Sequence, residues 1–129
     1  MAPTVLLARE LQAADFTTNQ LNALRVLCEG PCSAKQLARR LKFRHFILAN
    51  QTLGVAGRKL YTAASDRSPV KTWKLEGRED KPRKGWYNVI APGDPRVPKF
   101  RWHIRDEIKE AMRYLKWYVP PPRSLRPKS

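Results

Sequence analysis

Apolar residues recur at helical spacing over much of the first half of the chain. The longest run has separations of three and four residues, which place its members on one face of an α-helix of about five turns. That run consists of Phe46, Ala49, Leu53, Ala56, Leu60 and Ala63. The pattern therefore predicts one long amphipathic helix, which begins near residue 45 and ends near residue 64.

Two shorter helices are predicted before the long one. Thr17 or Thr18 can cap the first, and Gly30-Pro31 ends it. Ser33 can cap the second, which a short basic connection, Lys42-Phe43-Arg44, joins to the long helix. The inward positions of these two helices are Leu21, Leu24, Leu27, Cys28, Leu37, Ala38 and Leu41. A weaker pattern over residues 4–14, with Thr4 as its cap, indicates a short helix in an N-terminal segment, residues 1–16.

The pattern changes in the middle of the chain, where β-branched and aromatic residues favour strands. Pro69 to Leu75 and Gly85 to Ala91 are each predicted to form a strand, and a charged loop from Glu76 to Lys84 connects them. Two strands with a basic tip, placed after a helix-turn-helix, would form a wing. Phe100 to Ile104 is a candidate for a third short strand.

A final helix is predicted from about Arg105 to Tyr118, with an apolar stripe and with acids in its first turn and bases in its last. The prolines at 120–122 end it, and the basic, proline-rich tail 120–129 is expected to be disordered. The predicted fold is mainly α with a small β-hairpin: a winged helix-turn-helix over residues 17–119 with a C-terminal helix. The stripe consists of Ile104, Ile108, Ala111, Leu115 and Tyr118.

Charge narrows the expected function. The chain has 26 Lys and Arg against 11 Asp and Glu, a formal net charge of +15. Residues 1–32 hold two bases and three acids, so 24 bases and eight acids follow. Clustered cations of this kind are typical of proteins that displace counterions from phosphate, although a merely soluble basic protein is the simpler alternative.

Other function classes find less support. No apolar run approaches the roughly 20 residues that span a bilayer, and the N-terminus does not resemble a signal peptide, so we expect no membrane association and a cytoplasmic location. A zinc site needs four ligands, and the chain offers only two cysteines, Cys28 and Cys32, and two histidines, His45 and His103, so we expect no such site. Cys28 is expected in the core. The acids are scattered and catalytic motifs are lacking. We therefore expect no enzyme activity, no metal and no cofactor.

The long helix is the predicted recognition helix, over residues 45–64. Asn50 and Gln51 lie off its apolar stripe and can bond adenine in the major groove. Gly54 and Gly57 each cost helix stability, which close approach of a DNA backbone or of another helix could offset. Contacts with DNA, mostly with phosphate, are predicted for Arg44 and His45 at the helix start and for Arg58 and Lys59 two turns later. The wing, at about 76–85, and its surroundings are predicted to add contacts through Lys71, Lys74, Arg78, Lys81, Arg83 and Lys84.

An ordered set of short motifs resembles a small module that accompanies HNH-type restriction endonucleases, including those that attack modified DNA. The matching pieces extend over residues 17–116: Leu41-Lys42-Phe43, Ala49-Asn50, Gly54, Arg58-Lys59-Leu60, the segment 85–93, and Trp102 before Ile108 and Ala111. The resemblance implies DNA binding and a role in restriction or in a mobile element. We expect no nuclease domain to follow the module, and Leu53 and Val55 stand where the family has larger polar or aromatic residues.

The sequence thus predicts a duplex DNA-binding protein, with its oligomeric state open. Three alternatives remain at this point. The chain could be a winged helix that binds RNA, a protein that binds and inhibits a host polymerase or nuclease, or a remnant or separate subunit of a restriction system.

Overall fold

The computed structural model describes residues 2–73, 86–92 and 101–119 of the chain. Within these residues the prediction of a mainly helical protein is confirmed. The elements, in chain order, are α1 Pro3–Ala13, α2 Thr18–Glu29, α3 Ala34–Arg40, α4 Phe46–Ala63, a 3-10 helix Pro69–Thr72, α5 Tyr87–Ile90 and α6 Asp106–Tyr114.

The caps predicted for α2 and α3 are confirmed. The Thr17 hydroxyl accepts a hydrogen bond from the Gln20 backbone N–H at 3.2 Å, and the Gln20 side chain accepts one from the Thr17 N–H at 2.9 Å. Ser33 and Gln36 make the same reciprocal pair at 3.1 and 2.9 Å. Each pair satisfies two N–H groups that a helix start leaves without partners, which fixes where both helices begin.

Helix α4 is the central element, because α1, α2, α3 and α5 all pack against it. Its buried face holds Ala49, Leu53, Ala56, Gly57 and Leu60. The predicted stripe is therefore correct over its middle four positions. Its two ends differ, since the Phe46 side chain keeps 39% of its surface exposed and Ala63 is half-buried.

The contact between α4 and α5 depends on a glycine. A Cβ atom built on Gly57 would lie 1.8 Å from the Trp86 carbonyl oxygen, so only glycine lets the two backbones approach this closely. The Tyr61 and Trp86 rings pack beside this contact with centroids 5.2 Å apart. Of the two explanations offered for this glycine, close approach of another helix is the correct one.

The predicted β-hairpin is wrong as far as the described residues extend. Residues 69–72 form a 3-10 helix and residues 87–90 form α5, and no strand is present in residues 2–73, 86–92 or 101–119. Ser68 caps the 3-10 helix by accepting from the Val70 N–H at 3.1 Å, and Pro69 at its first position favours helical φ. The packing of α5 onto Gly57 overrides the β-propensity of Trp86-Tyr87-Asn88-Val89-Ile90.

The prediction of a winged fold depends on this hairpin, so it is also wrong as far as the described residues extend. The predicted tip, residues 76–85, lies outside the described residues. The third predicted strand reduces to a single antiparallel bridge, in which Trp102 N–H donates to Cys32 O at 2.7 Å and Cys32 N–H donates to Trp102 O at 3.2 Å. This bridge fixes the segment before α6 to the turn between α2 and α3.

Arg105 joins the C-terminal part of the chain to α5. Its guanidinium donates to the carbonyl oxygens of Asn88 at 2.8 Å and Val89 at 3.2 Å, and it lies 4.5 Å from the centre of the Trp73 ring. Burial lowers the pKa of this guanidinium. A cation at the end of α5 interacts favourably with the carbonyls that the helix leaves open.

Helices α1 and α6 form a second layer. They pack against each other, and α1 also contacts α4. Leu7 and Leu11 of α1 are fully buried, and the buried Glu10 carboxylate accepts from the Ser65 N–H at 2.7 Å and from the Ser68 hydroxyl. The predicted Thr4 cap is wrong, because the N-cap is Ala2 with Pro3 following it.

The last helix ends earlier than predicted, at Tyr114. Lys116 adopts a left-handed conformation with φ of 60°, and the Trp117 N–H donates to Met112 O at 2.9 Å, which closes the helix in a Schellman motif. The acids predicted for its first turn, Asp106 and Glu107, are present there.

The two glycines of α4 should respond in opposite directions to the same substitution. Gly57→Ala should lower the free energy of unfolding by about 2 kcal/mol or more, because its Cβ meets the Trp86 backbone. Gly54→Ala should raise it by up to about 1 kcal/mol, because nothing lies within 4 Å of its added Cβ and alanine favours the helix. Urea unfolding of both variants measures this difference. Equal effects would contradict the close contact at Gly57.

Candidate nucleic-acid interface

The face of α4 opposite its buried stripe is open to solvent. At about 100° per residue, Ile47, Gln51, Val55 and Arg58 lie on the side away from Leu53. Gln51 and Arg58 are exposed, and the side chains of Ile47 and Val55 are 48% and 46% exposed. This outward face therefore mixes aliphatic and polar groups, where a purely solvated helix face would be polar throughout.

Gln51 lies at the centre of this face. Its neighbours one turn away in either direction are Ile47 and Leu48 before it and Gly54 and Val55 after it, so no charged residue adjoins it on the helix surface. Gly54 has open space where its Cβ would be. The helix propensity that this glycine loses is not offset by any contact within the described protein.

Arginines flank this uncharged centre at both ends. Arg44 lies two residues before the helix begins, and Arg58 lies in its fourth turn, about 18 Å along the axis from the helix start. Both are exposed, and neither forms an ion pair or hydrogen bond within the part of the chain that the structure describes. Their charges are therefore available to a partner.

Helix α3 and the turn after it extend the basic surface. Lys35, Arg39 and Lys42 are exposed and unpaired among the described residues, whereas Arg40 pairs with Glu29 at 2.6 Å. No Asp or Glu occurs between Gly30 and Ser65, a stretch that contains seven Lys and Arg. We call the exposed residues of these two helices and their turn, taken together, the α3–α4 surface; within it, Lys42 also lines a groove with Asn19, Asn22 and Arg25 of α2. The α3–α4 surface comprises Lys35, Arg39, Lys42, Arg44, Ile47, Leu48, Gln51, Gly54, Val55 and Arg58.

Lys42 occupies a backbone position that glycine normally fills. Its φ is 59°, and the Phe43 N–H donates to Ala38 O at 2.8 Å while the Lys42 N–H donates to Arg39 O at 3.2 Å. These bonds form a Schellman motif at the end of α3, with lysine at the left-handed position. A non-glycine residue there costs about 1 kcal/mol, so this lysine lowers the stability of the turn.

The start of α4 is electropositive. The His45 Nδ1 accepts a hydrogen bond from the Ile47 N–H at 3.1 Å, and its ring stacks on Phe46 with centroids 4.6 Å apart. His45 thus acts as the N-cap. The first turn holds no acid that would neutralise the positive end of the helix dipole.

The other described residues that were predicted to contact DNA are less available to a partner. Asn50 is half-buried and points about 100° away from Gln51, so the two amides do not share a face. Lys59 donates to Asp15 O at 3.0 Å and to the Gln20 side chain at 2.9 Å, which ties α4 to the start of α2. The Lys71 ammonium lies 3.7 Å from the centre of the Tyr61 ring, at the far end of α4 from Arg44.

Five predicted contacts lie outside the described residues: Lys74, Arg78, Lys81, Arg83 and Lys84. The structure instead adds residues that the sequence reasoning missed, namely Lys35, Arg39, Lys42 and the exposed aliphatic residues of α4. Two signals could have indicated them. One is the absence of acids over residues 30–65, and the other is the run Phe46-Ile47-Leu48, of which a single stripe can bury only part.

Cys28 is a core residue, as predicted. Its Sγ lies 3.6 Å from the Met112 Sδ, and burial raises the pKa of the thiol to about 11. Burial also raises the pKa of Cys32. Both thiols are therefore poor nucleophiles at neutral pH, because the thiolate is the reactive form.

Known proteins offer no guide to this surface. The chain matches no family model, no characterised protein and no solved structure. The resemblance to restriction-associated modules therefore stays a prediction. Among the helices of the described residues, none has the length and apolar character required to cross a bilayer.

Two adjacent cations of α4 should behave differently, because Lys59 forms hydrogen bonds and Arg58 forms none with the residues that the structure describes. Lys59→Ala should lower the free energy of unfolding by about 1 kcal/mol, since it removes the hydrogen bonds to Asp15 and Gln20. Arg58→Ala should leave stability within about 0.5 kcal/mol of the native protein. Urea unfolding of the two variants tests the assignment, and a larger loss for Arg58→Ala would reverse it.

Proposed function

We propose that this protein binds duplex DNA through the α3–α4 surface, with the outward face of α4 in the major groove. One observation carries the proposal: an uncharged helix face around Gln51 is flanked at both ends by exposed arginines, Arg44 and Arg58, which have no partner among the described residues. The major groove of DNA has uncharged base edges at its floor and anionic phosphates along both walls. The uncharged centre of the helix face would therefore meet the base edges, and the arginines would meet the phosphates.

The dimensions support this placement. The major groove of B-DNA is about 12 Å wide, and an α-helix with its side chains is about 10–12 Å across. With α4 in the groove, Gln51 faces the base edges, where its amide can bond adenine bidentately at N6 and N7. Arg44 and Arg58 then meet phosphates near the two walls. Asn50 lies on the flank of the helix and is not assigned to base readout.

Helix α3 and its turn supply the phosphate contacts that position the protein. Lys35, Arg39 and Lys42 carry no base-reading geometry, because their side chains lie on a second helix and on the turn that leads into α4. Contacts of this kind set register and affinity without selecting sequence. Lys42 is included because it is exposed and lies two residues before Arg44, on the turn that leads into α4.

Duplex DNA fits this surface better than duplex RNA does. The major groove of A-form RNA is deep and narrow, and side chains on a helix cannot reach its base edges. The exposed aliphatic groups of α4 would then stay in water. A protein that used only its net charge would bind both duplexes about equally.

The test is the binding of a duplex DNA of about 20 base pairs at 50–200 mM salt. Five exposed cations have no partner in the described part of the chain, and they predict that log K falls against log salt with a slope of about −4.5. They are Lys35, Arg39, Lys42, Arg44 and Arg58. Fluorescence anisotropy measures the slope, and a duplex RNA of the same sequence is the comparator. A slope near zero, or equal affinity for the RNA, would contradict the proposal.

Two lysines in the same backbone conformation provide a matched control. Lys42 and Lys116 both occupy the left-handed position of a Schellman motif, with φ of 59° and 60°. Glycine at either site should raise the free energy of unfolding by about 1 kcal/mol and removes one charge. Lys42→Gly should also weaken DNA binding and make the salt slope shallower by about one unit, whereas Lys116→Gly should not. Equal losses of affinity would show that net charge, rather than the α3–α4 surface, governs binding.

A further inference from the structure

Three aliphatic side chains on α4 lie in water without a partner among the described residues. Ile47, Leu48 and Val55 are 48%, 41% and 46% exposed, although the opposite face of the same helix is fully buried. The fold therefore does not use these side chains to fill its core. Their arrangement is specific, because all three lie within one turn of Gln51.

The charges around these side chains indicate the chemistry of the partner that would cover them. Arg44 and Arg58 lie at the two ends of the same face, and no acid occurs on α3 or α4. The occupant is therefore expected to be anionic at its edges and to offer small apolar groups at its centre. Among the base edges of a DNA major groove, the apolar group is the C5 methyl of thymine.

We infer that Ile47, Leu48 and Val55 contact thymine methyl groups, so that the protein prefers A·T base pairs in the major groove. This inference rests on the proposed function and adds a base preference to it. Gln51 between the aliphatic side chains would bond adenine, and Ile47, Leu48 and Val55 would pack against thymines of the same or adjacent pairs. The hydrogen bonds of Gln51 strengthen when these contacts exclude water from around them.

The spacing along the helix agrees with such a site. Ile47 and Val55 are eight residues apart, about 12 Å along the axis. With base pairs stacked about 3.4 Å apart, this length covers three to four of them. Gly54 has no side chain, so nothing protrudes from the helix between Gln51 and Arg58 at the position beside Val55. The base edges can therefore approach the helix backbone at that point.

The test compares two duplexes that differ only in the methyl group. One is alternating deoxyadenosine and thymidine, and the other has deoxyuridine in place of every thymidine. Burial of one methyl group is worth about a three- to fourfold change in affinity, so two contacted thymines predict binding to the deoxyuridine duplex that is weaker by about tenfold or more. Anisotropy competition at fixed salt measures the ratio for the full chain.

The protein side of the test removes the aliphatic groups. In a variant with Ile47→Ser and Leu48→Ser, the ratio of affinities for the two duplexes should fall to about fourfold or less, because at most the contact of Val55 remains. Val119→Ser is the matched control, because Val119 is 72% exposed but lies after α6. This control should keep the full tenfold ratio. Both substituted sites are exposed, so circular dichroism should show that the variants fold as the native protein does.

Each outcome decides a different point. Equal binding of the two duplexes by the native protein overturns the thymine contact but leaves DNA binding intact. A tenfold ratio that survives in the Ile47, Leu48 variant also overturns it, since duplex shape would then cause the difference. Absence of binding to either duplex overturns the proposed function as well. A loss of affinity in that variant that is equal for the two duplexes would mean that these side chains contact another part of the duplex, and would also overturn the thymine contact.

Discussion

The packing of four helices along one face of α4 is the constraint on which the rest of the structure depends. Ala49, Leu53, Ala56 and Leu60 fill that face, and Gly57 lets α5 approach until backbones touch. Because α1, α2, α3 and α5 all contact α4, the helix cannot rotate without exposing its core positions. The packing therefore also determines which residues of α4 face the solvent.

The candidate interface follows from that fixed rotation. Residues one half-turn from the core stripe lie outward, so Gln51 and its aliphatic neighbours are displayed on a rigid helix. The charges come from elements that the same packing holds beside it: α3, which packs on α4, and the short turn between them. Lys42 and Gly54 both lower stability locally, Lys42 through its left-handed backbone and Gly54 through its low helix propensity.

The helices of the N-terminal half could be predicted because their signals are local. Thr17 and Ser33 cap their helices through bonds three residues away, and the period of α4 needs no knowledge of its neighbours. The segments 69–73 and 86–91 could not, because contacts with distant residues decide them: Gly57 accommodates α5, and Arg105 binds its final carbonyls. For the site, composition identified Arg44, Gln51 and Arg58 as candidates. The half-burial of Asn50 and the hydrogen bonds of Lys59 depend on tertiary packing, so the sequence did not reveal them.

The central claim is that a single surface, made by α3 and α4, contacts duplex DNA. Titration of isotopically labelled protein with a short A·T-rich duplex, followed through backbone amide chemical shifts, tests it most directly. We expect shifts at Arg39, Lys42, Gln51 and Gly54, with the amides of α6 unchanged. Shifts concentrated in α6, or none at all with duplex in excess, would contradict it.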